Sequence, residues 1–413
     1  MMLEVNIDRI MNNIETICEF NATPGQGYTR FSYSKEDMQA REFLINECQE
    51  FGLKVTTDGV GNIRAKLEGL DPQAPSVMSG SHIDTVYHGG KYDGLVGAIG
   101  ALEAIRTIIE NGIKTLNSLE FVVFSEEEGS NFGSTLAGSK AMVGYYGVDD
   151  LKKLKNPLGI SMYDMAKRAG YDPDKVTHQV LKHGEVKAML ELHIEQSIVL
   201  ESKNIPIGIV EAIAGMQAFE IVLKGVANHA GATPMSLRND PMATAAKIMA
   251  HIEDLAKITP SGSTVATVGR IFCEPNISNV IPENVLFTLD ARDVDNRILN
   301  QFVSDVRQKL IDESALHGVS SNMHFLGSSD AIILDKLTVE LLENEAKARN
   351  IPFMRMNSGA VHDSSILSAV TKAGMIFIPS VNGRSHVPEE DSRYEDIELG
   401  CNMLLGSLLK LAM

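Results

Sequence analysis

Residues able to do chemistry gather first between Val77 and Gly94, in V-M-S-G-S-H-I-D-T-V-Y-H-G-G-K-Y-D-G. An apolar opening reads as a buried strand, and His82, Asp84 and Asp93 follow it among glycines. Histidine and aspartate ligate divalent metals, and a chain leaving a strand holds them rigidly. His82 and Asp84 are two apart, so on extended backbone they point the same way. Asp84 can then bind metal or fix the tautomer of His82 from behind. The carboxylate of Asp93 has two oxygens and can bridge two cations. The plainer readings are a polar turn for His82–Asp84 and a helix-capping role for Asp93. The expectation is a two-metal hydrolytic site whose remaining ligands lie far along the chain.

Glu126-Glu127-Glu128 directly follows the apolar run Leu119–Phe124. Adjacent side chains there point apart, so one glutamate can ligate while its neighbour serves as general base. A solvated acidic turn is the alternative, but three like charges beside a buried strand repel unless compensated. His193 ends the strand-like L-E-L-H-I-E-Q, and His386 lies in the loop N-G-R-S-H-V-P-E-E. Each alone reads as easily as a structural histidine. His229 sits in N-H-A-G-A-T-P-M, after a strand and before a Gly/Thr/Pro loop, where it can polarise a carbonyl. Arg292 closes F-T-L-D-A-R, and its planar fork suits a carboxylate. Its structural alternative is a salt bridge to Asp290 or Asp293.

These residues need elements to hold them. Helices are expected at 6–20, 35–51 (with Ser34 as N-cap) and 94–112, and strands at 53–57, 62–68, 76–80, 119–124, 186–193 and 374–379. Several buried runs thus end on carboxylate or imidazole residues, as sites do outside the carboxyl ends of strands in open α/β sheets. From 212 to 325 the order changes to strand (218–224), helix (240–256), strands (263–272 and 284–292), helix (295–316), strand (320–326). That βαββαβ order is ferredoxin-like. The domain assignment is therefore a catalytic domain of 1–211 plus 326–413 and an inserted domain of 212–325.

The chain has 413 residues, beyond one ordinary core, with 44% hydrophobic and 22% charged residues as in soluble globular proteins. A net charge of −17 argues against nucleic acid or an anionic membrane as partner. Cys18, Cys48, Cys273 and Cys401 are scattered without a C-x-x-C pair, which fits a reducing cytoplasm. Glu4, Asp8 and Arg9 do not read as a signal peptide, and no window reaches the roughly 18 apolar residues of a membrane span.

Taken together, the segments resemble the amidohydrolases that cleave N-carbamoyl-L-amino acids and allantoate. These form a branch of the binuclear-zinc aminoacylase and carboxypeptidase superfamily. The matching stretches are G-S-H-I-D-T-V with G-G-K-Y-D-G, E-E-E-G-S, L-E-L-H-I-E-Q, H-A-G-A-T-P-M-S-L-R-N-D-P-M, F-T-L-D-A-R-D, S-G-A-V-H-D, and G-M-I-F-I-P-S with G-R-S-H-V-P-E, in the family's order. The resemblance implies an α/β metallo-exopeptidase-like catalytic domain with a mixed sheet, and a dimerisation or lid domain inserted into it. It implies that His82, Asp93 and His193 hold one metal, and that Asp93, Glu128 and His386 hold the other. Glu127 would be the general base and Asp84 the partner behind His82. Gln196, His229, Asn279 and Arg292 would bind substrate, with His229 serving the partner subunit of a homodimer. Two divalent ions, zinc or manganese with nickel or cobalt as options, and a small ureido substrate bearing a carboxylate are implied. The chain departs from the family pattern at Asn131, Ser197, Val361 and Arg384, which bears on substrate identity rather than on the reaction. Allantoate is the alternative substrate. An aminoacylase or dipeptidase is disfavoured by His193, and a non-catalytic metal-binding protein by the pair Glu127 and Glu128.

Overall fold

The computed structural model describes residues 2–413, which cluster into two compact units. The larger comprises the chain through Glu211, Leu334–Met356 and His362–Met413; the smaller comprises Ala212–Ile333 and Asn357–Val361. The second crossing falls after Ile333 rather than at 325. The strand expected to end at 326 continues to Ser329 through an irregularity between Phe325 and Gly327, so a cut at 325 would divide a paired strand.

The first six strands are Lys54–Thr57 (β1), Ile63–Leu67 (β2), Ser76–His82 (β3), Leu119–Phe124 (β4), Val186–Ile194 (β5) and Ile207–Ile213 (β6), all in the larger unit except the last two residues of β6. β3 and β4 are buried at every position, and β5 at all but one. Strands covered on both faces must read as continuous apolar runs, which is the pattern of a parallel sheet interior. β3 runs parallel to both β4 and β5. Two helices open as their sequences dictate: Asn6 caps Ile7–Glu19 (α1) and Ser34 caps Lys35–Glu50 (α2), each accepting a main-chain N–H with its side chain. Leu95–Glu110 (α3) follows the Asp93 loop and is almost wholly buried, even at Glu103. Arg9 neutralises that buried charge, at 2.6 Å.

The smaller unit contributes Gly215–Lys224 (β7), Asn228–His229 (β8), Val265–Thr267 (β9), Ile271–Glu274 (β10), Val280–Ile281 (β11), Asn284–Asp293 (β12), Ser320–Ser329 (β13) and Ile332–Ile333 (β14). Its main sheet runs β10-β12-β7-β13, with β9 also on β12 and every pair antiparallel. β12 alternates strictly between buried and half-buried residues, the mark of a sheet covered on one face. Phe219, Ile221, Val285 and Phe287 turn inward there against Ile248, Leu299 and Phe302 of the helices Pro241–Lys257 and Asn296–Leu316. The strand expected over 263–272 is two strands, because pairing with β12 breaks between Thr267 and Ile271.

Phe353–Ser358 (β15) and Lys372–Ile378 (β16) complete the set, giving the large sheet the order β1-β2-β4-β3-β5-β16-β6-β14, with β15 beside β6. β16 is parallel to β5. β4, β3, β5 and β16 are therefore four adjacent strands of one direction, and their carboxyl ends share one edge. Among the described residues, no helix is long and apolar enough to cross a membrane.

Candidate metal centre

Each of those four carboxyl ends delivers a candidate group. His82 is the last residue of β3, and β4 passes into Ser125–Glu128. His193 is the penultimate residue of β5, and the loop after β16 carries His386. Asp93 comes from the loop between β3 and α3. Gly94 follows it at φ 66°, where a Cβ would lie 2.4 Å from His82 Nε2. Glycine is needed there twice over, for the left-handed backbone and for the imidazole above it.

The side chains converge. Asp93 Oδ1 stands 3.5 Å from His82 Nε2 and 3.2 Å from His193 Nε2. Asp93 Oδ2 stands 3.1 Å from His386 Nε2, which is 3.4 Å from Glu128 Oε1. One carboxylate thus divides its oxygens between two ligand sets. In each set, His82–Asp93–His193 and Asp93–Glu128–His386, the ligand atoms lie within 4.8 Å of one another. The first set is buried, whereas His386 in the second is half exposed.

The donors fit divalent metal. His82 Nδ1 is 3.0 Å from the Asp84 carbonyl and His193 Nδ1 is 2.9 Å from the Ile194 carbonyl. A carbonyl only accepts, so in the neutral ring, the form that binds metal, each Nδ1 carries the proton and each Nε2 presents its lone pair toward Asp93. The Gly94 N–H points at His193 Nε2, 3.2 Å away, which agrees with that tautomer. Charge points the same way. Burial raises the Asp93 carboxyl, but His193, His386 and His82 outweigh burial and hold it well below the usual carboxylate range. Burial pushes Glu128 up to about 8. Burial, with Glu128 and Asp363 adding, pushes Glu127 well above the ordinary value. Buried carboxylates in this number call for cations.

Glu127 belongs to neither ligand set, yet its Oε2 is 3.7 Å from His82 Nε2. Asp84 differs from expectation. Its carbonyl, not its carboxylate, serves His82, because the carboxylate is 3.9 Å from Nδ1 and is engaged elsewhere. It accepts the main-chain N–H groups of Glu127 at 3.2 Å and Glu128 at 3.1 Å. Gln196 reaches the centre, donating from Nε2 to Asp93 Oδ2 at 2.7 Å.

His229, Asn279 and Arg292 belong to the smaller unit. β8 pairs with β11, and the Ala230 N–H donates to the Asn279 carbonyl at 3.0 Å, so His229 and Asn279 are neighbours. His229 Nδ1 accepts the N–H groups of Gly231 at 3.0 Å and Ala232 at 3.1 Å. The neutral ring therefore carries its proton on Nε2. Arg292 has the salt bridge weighed above, to Asp290 at 2.9 Å, and also donates to the Gly359 carbonyl at 2.7 Å. Of the departures, Asn131 ties its amide to the Ser32 carbonyl at 2.8 Å, Ser197 donates to Glu195 at 3.0 Å, and Arg384 pairs with Glu389 at 3.3 Å.

Residue-level reading passed over several supports. Glu126 is buried and accepts the N–H groups of Asn131 and Phe132, folding the acidic turn back on itself. Buried Arg30 donates to the carbonyl of Ile83, between His82 and Asp84, at 2.8 Å. His362 packs its ring edge-on to His193 with centroids 4.6 Å apart. The last two act across long sequence separations and leave no local pattern.

A family profile described as Peptidase family M20/M25/M40 matches residues 78–410. The chain belongs to this family. Membership in M20/M25/M40 makes it a hydrolase of carbon–nitrogen bonds. Among curated M20-type relatives, the N-carbamoyl-L-amino-acid amidohydrolase of Pseudomonas sp. (strain NS671) is 38% identical over 98% of each chain. The allantoate amidohydrolase of Bacillus subtilis (strain 168) is 33% identical over 98% of this chain and 97% of its own length. Among solved structures, an amidase of the hydantoinase/carbamoylase family from Burkholderia multivorans superposes with TM-score 0.95 at 31% identity, covering 99% of this chain and 98% of its own.

Proposed function

We propose that this chain hydrolyses the ureido group of N-carbamoyl-L-amino acids, releasing the amino acid, ammonia and carbon dioxide. The observation that carries this reading is Asp93, one oxygen in each of two ligand sets, with Glu127 beside them and in neither. In the proposed site His82, Asp93 and His193 hold one ion, and Asp93, Glu128 and His386 the other. Zinc or manganese fits these nitrogen and oxygen donors best, with nickel and cobalt acceptable. Two such ions, when bound, supply a water of near-neutral pKa and polarise the scissile carbonyl.

The chain's own groups do the rest. Glu127 takes the proton of the attacking water and returns it to the leaving amine. Asp84 holds the Glu127–Glu128 turn in place for that transfer. His229 donates from Nε2 to the oxyanion that develops on the carbamoyl oxygen. Gln196 holds the substrate, and Asn279 and Arg292 grip its carboxylate. The carbamate produced decomposes to ammonia and carbon dioxide.

The chain is further assigned as a cytoplasmic homodimer joined through the smaller unit, with His229 serving the partner's site. Free cysteines at 18, 48, 273 and 401 support the compartment. An unpaired edge at β13 bearing exposed Phe325 and Leu326 supports the assembly. Light scattering checks it, and a monomer at assay concentration removes it.

Allantoate is the second reading, favoured by the Bacillus subtilis relative. Ammonia release measured on both substrates separates the two. Preference for N-carbamoyl amino acids is expected, and a clear preference for allantoate overturns the first reading.

A further inference from the structure

Glu390 closes the V-P-E-E stretch four residues after His386, and its side chain is buried at 5% exposure. Its Oε1 accepts the main-chain N–H of Tyr92 at 2.8 Å and of Asp93 at 3.0 Å. Its Oε2 accepts the Ser385 hydroxyl at 2.8 Å and the His386 N–H at 3.3 Å. The two ends of one carboxylate thus tie together segments almost three hundred residues apart. Neither segment is helix or strand, so no ladder of main-chain bonds holds them. His386 also sits at φ 60°, a left-handed conformation that a non-glycine residue keeps only when its surroundings impose it.

The cradle is built to the carboxylate. A Cβ on Gly90 would lie 2.0 Å from the Glu390 carboxyl carbon. Ser385 Oγ lies 2.8 Å from Glu390 Oε2 and 2.8 Å from Asp93 Oδ2, joining this carboxylate to the central one. Two buried carboxylates in such proximity repel, and an apolar residue at 390 would avoid that cost. What the charge provides is acceptance of four bonds from the residues flanking the centre.

The two ligand sets depend on this tie unequally. His82 and His193 are carried by β3 and β5 and keep their places without it. In the other set, both Asp93 and His386 are anchored by Glu390. We propose that Glu390 is a positioning residue that sets the outer ion position, Asp93–Glu128–His386, and leaves the inner one, His82–Asp93–His193, largely to the strands. The proposal rests on the two-ion reading above.

The test uses the full chain, stripped by chelation and titrated with Co²⁺, with calorimetry and visible absorption as readouts. Wild type should take two ions. In Glu390→Gln the outer ion should bind about 10–100-fold more weakly, the scale for groups that orient metal ligands, while the inner ion holds near its wild-type affinity. Gly90→Ala keeps the carboxylate but displaces it, and should show the same asymmetry; it decides the matter if Glu390→Gln does not fold. Anomalous scattering from soaked crystals should then show reduced occupancy at His386 alone. Wild-type affinities for both ions in the folded variant would overturn the proposal. So would equal weakening of both together with a lower melting temperature of the stripped protein, which is what general damage produces. Failure of the wild type itself to bind two ions would instead overturn the two-ion reading.

Discussion

The carboxylate of Asp84 accepts the main-chain N–H of Glu127 at 3.2 Å, joining the end of β3 to the acidic turn after β4. A second bond, from the Glu128 N–H at 3.1 Å, uses the other oxygen. Asp84 therefore acts on the acidic turn through its side chain and on His82 through its main chain. Asparagine at 84 retains one acceptor and turns a donor toward the other N–H. Asp84→Asn should lower kcat by about 10–100-fold. Steady-state kinetics beside a melting curve checks this, and full activity would remove Asp84 from the orienting role.

Glu127→Gln separates binding from chemistry. Glu127 stands outside both ligand sets, so two ions per chain should remain. Turnover should fall by about 10²–10⁴-fold, the span of general acid–base catalysis. Metal analysis and single-turnover rates on one preparation make the comparison, and unchanged turnover would exclude Glu127 as the base.

The metal-free protein should lose stability as pH rises. Burial carries Glu126 from 4.5 to about 8 and Glu128 likewise to about 8. Asp93 carries His386 from 6.5 to about 9. In all three the folded state holds its proton to higher pH than the unfolded chain does. Stability then falls with rising pH, from near 4.5 through 8 for the glutamates and from 6.5 through 9 for the histidine. Saturating metal displaces the protons on Glu128 and His386 and should flatten most of the slope. Denaturant melts across this range, with and without Mn²⁺, measure it; a chelated protein that gains stability with pH contradicts the assignment.

His229 is preset as a donor. With Nδ1 occupied by the N–H groups of Gly231 and Ala232, Nε2 presents the hydrogen. His229→Ala should lower kcat by about 10²–10³-fold, as loss of one oxyanion donor does, with KM little changed. A rise in KM at constant kcat would make it a ground-state binding residue instead.

Arg292 is paired with Asp290 at 2.9 Å, and the proposed reading has it grip the substrate carboxylate as well. Arg292→Ala should raise KM for carboxylate-bearing substrates by about 10–100-fold, equivalent to about 1.5–3 kcal/mol for a charge-assisted hydrogen bond. An amide analogue of the substrate should show almost no difference between wild type and variant. Equal loss on both compounds would place the carboxylate elsewhere.

Much of this was legible in the residues. Apolar runs ending on His82, Glu126–Glu128 and His193 marked the strand ends that meet at the candidate centre, because several charged groups together are costly inside a strand buried on both faces and gather at its end instead. Ser34 declared its helix through a cap that acts over three residues. The change in the order of elements from 212 onward set apart a βαββαβ stretch. These signals are local, and local physics writes them into short windows.

The tertiary structure decided what windows cannot hold. Parallel pairing of β3 with β4 and β5, and of β5 with β16, brings residues 82, 128, 193 and 386 to one edge. Which oxygen of Asp93 faces which histidine, and that Asp84 spends its carboxylate on Glu127 and its carbonyl on His82, depend on side-chain directions set by packing. Glu390 shows the limit most plainly: its partners Tyr92 and Asp93 lie 298 and 297 positions away. A hydrogen bond needs only about 3 Å of space, and no residue type or spacing records which distant donor the folded chain will bring that near.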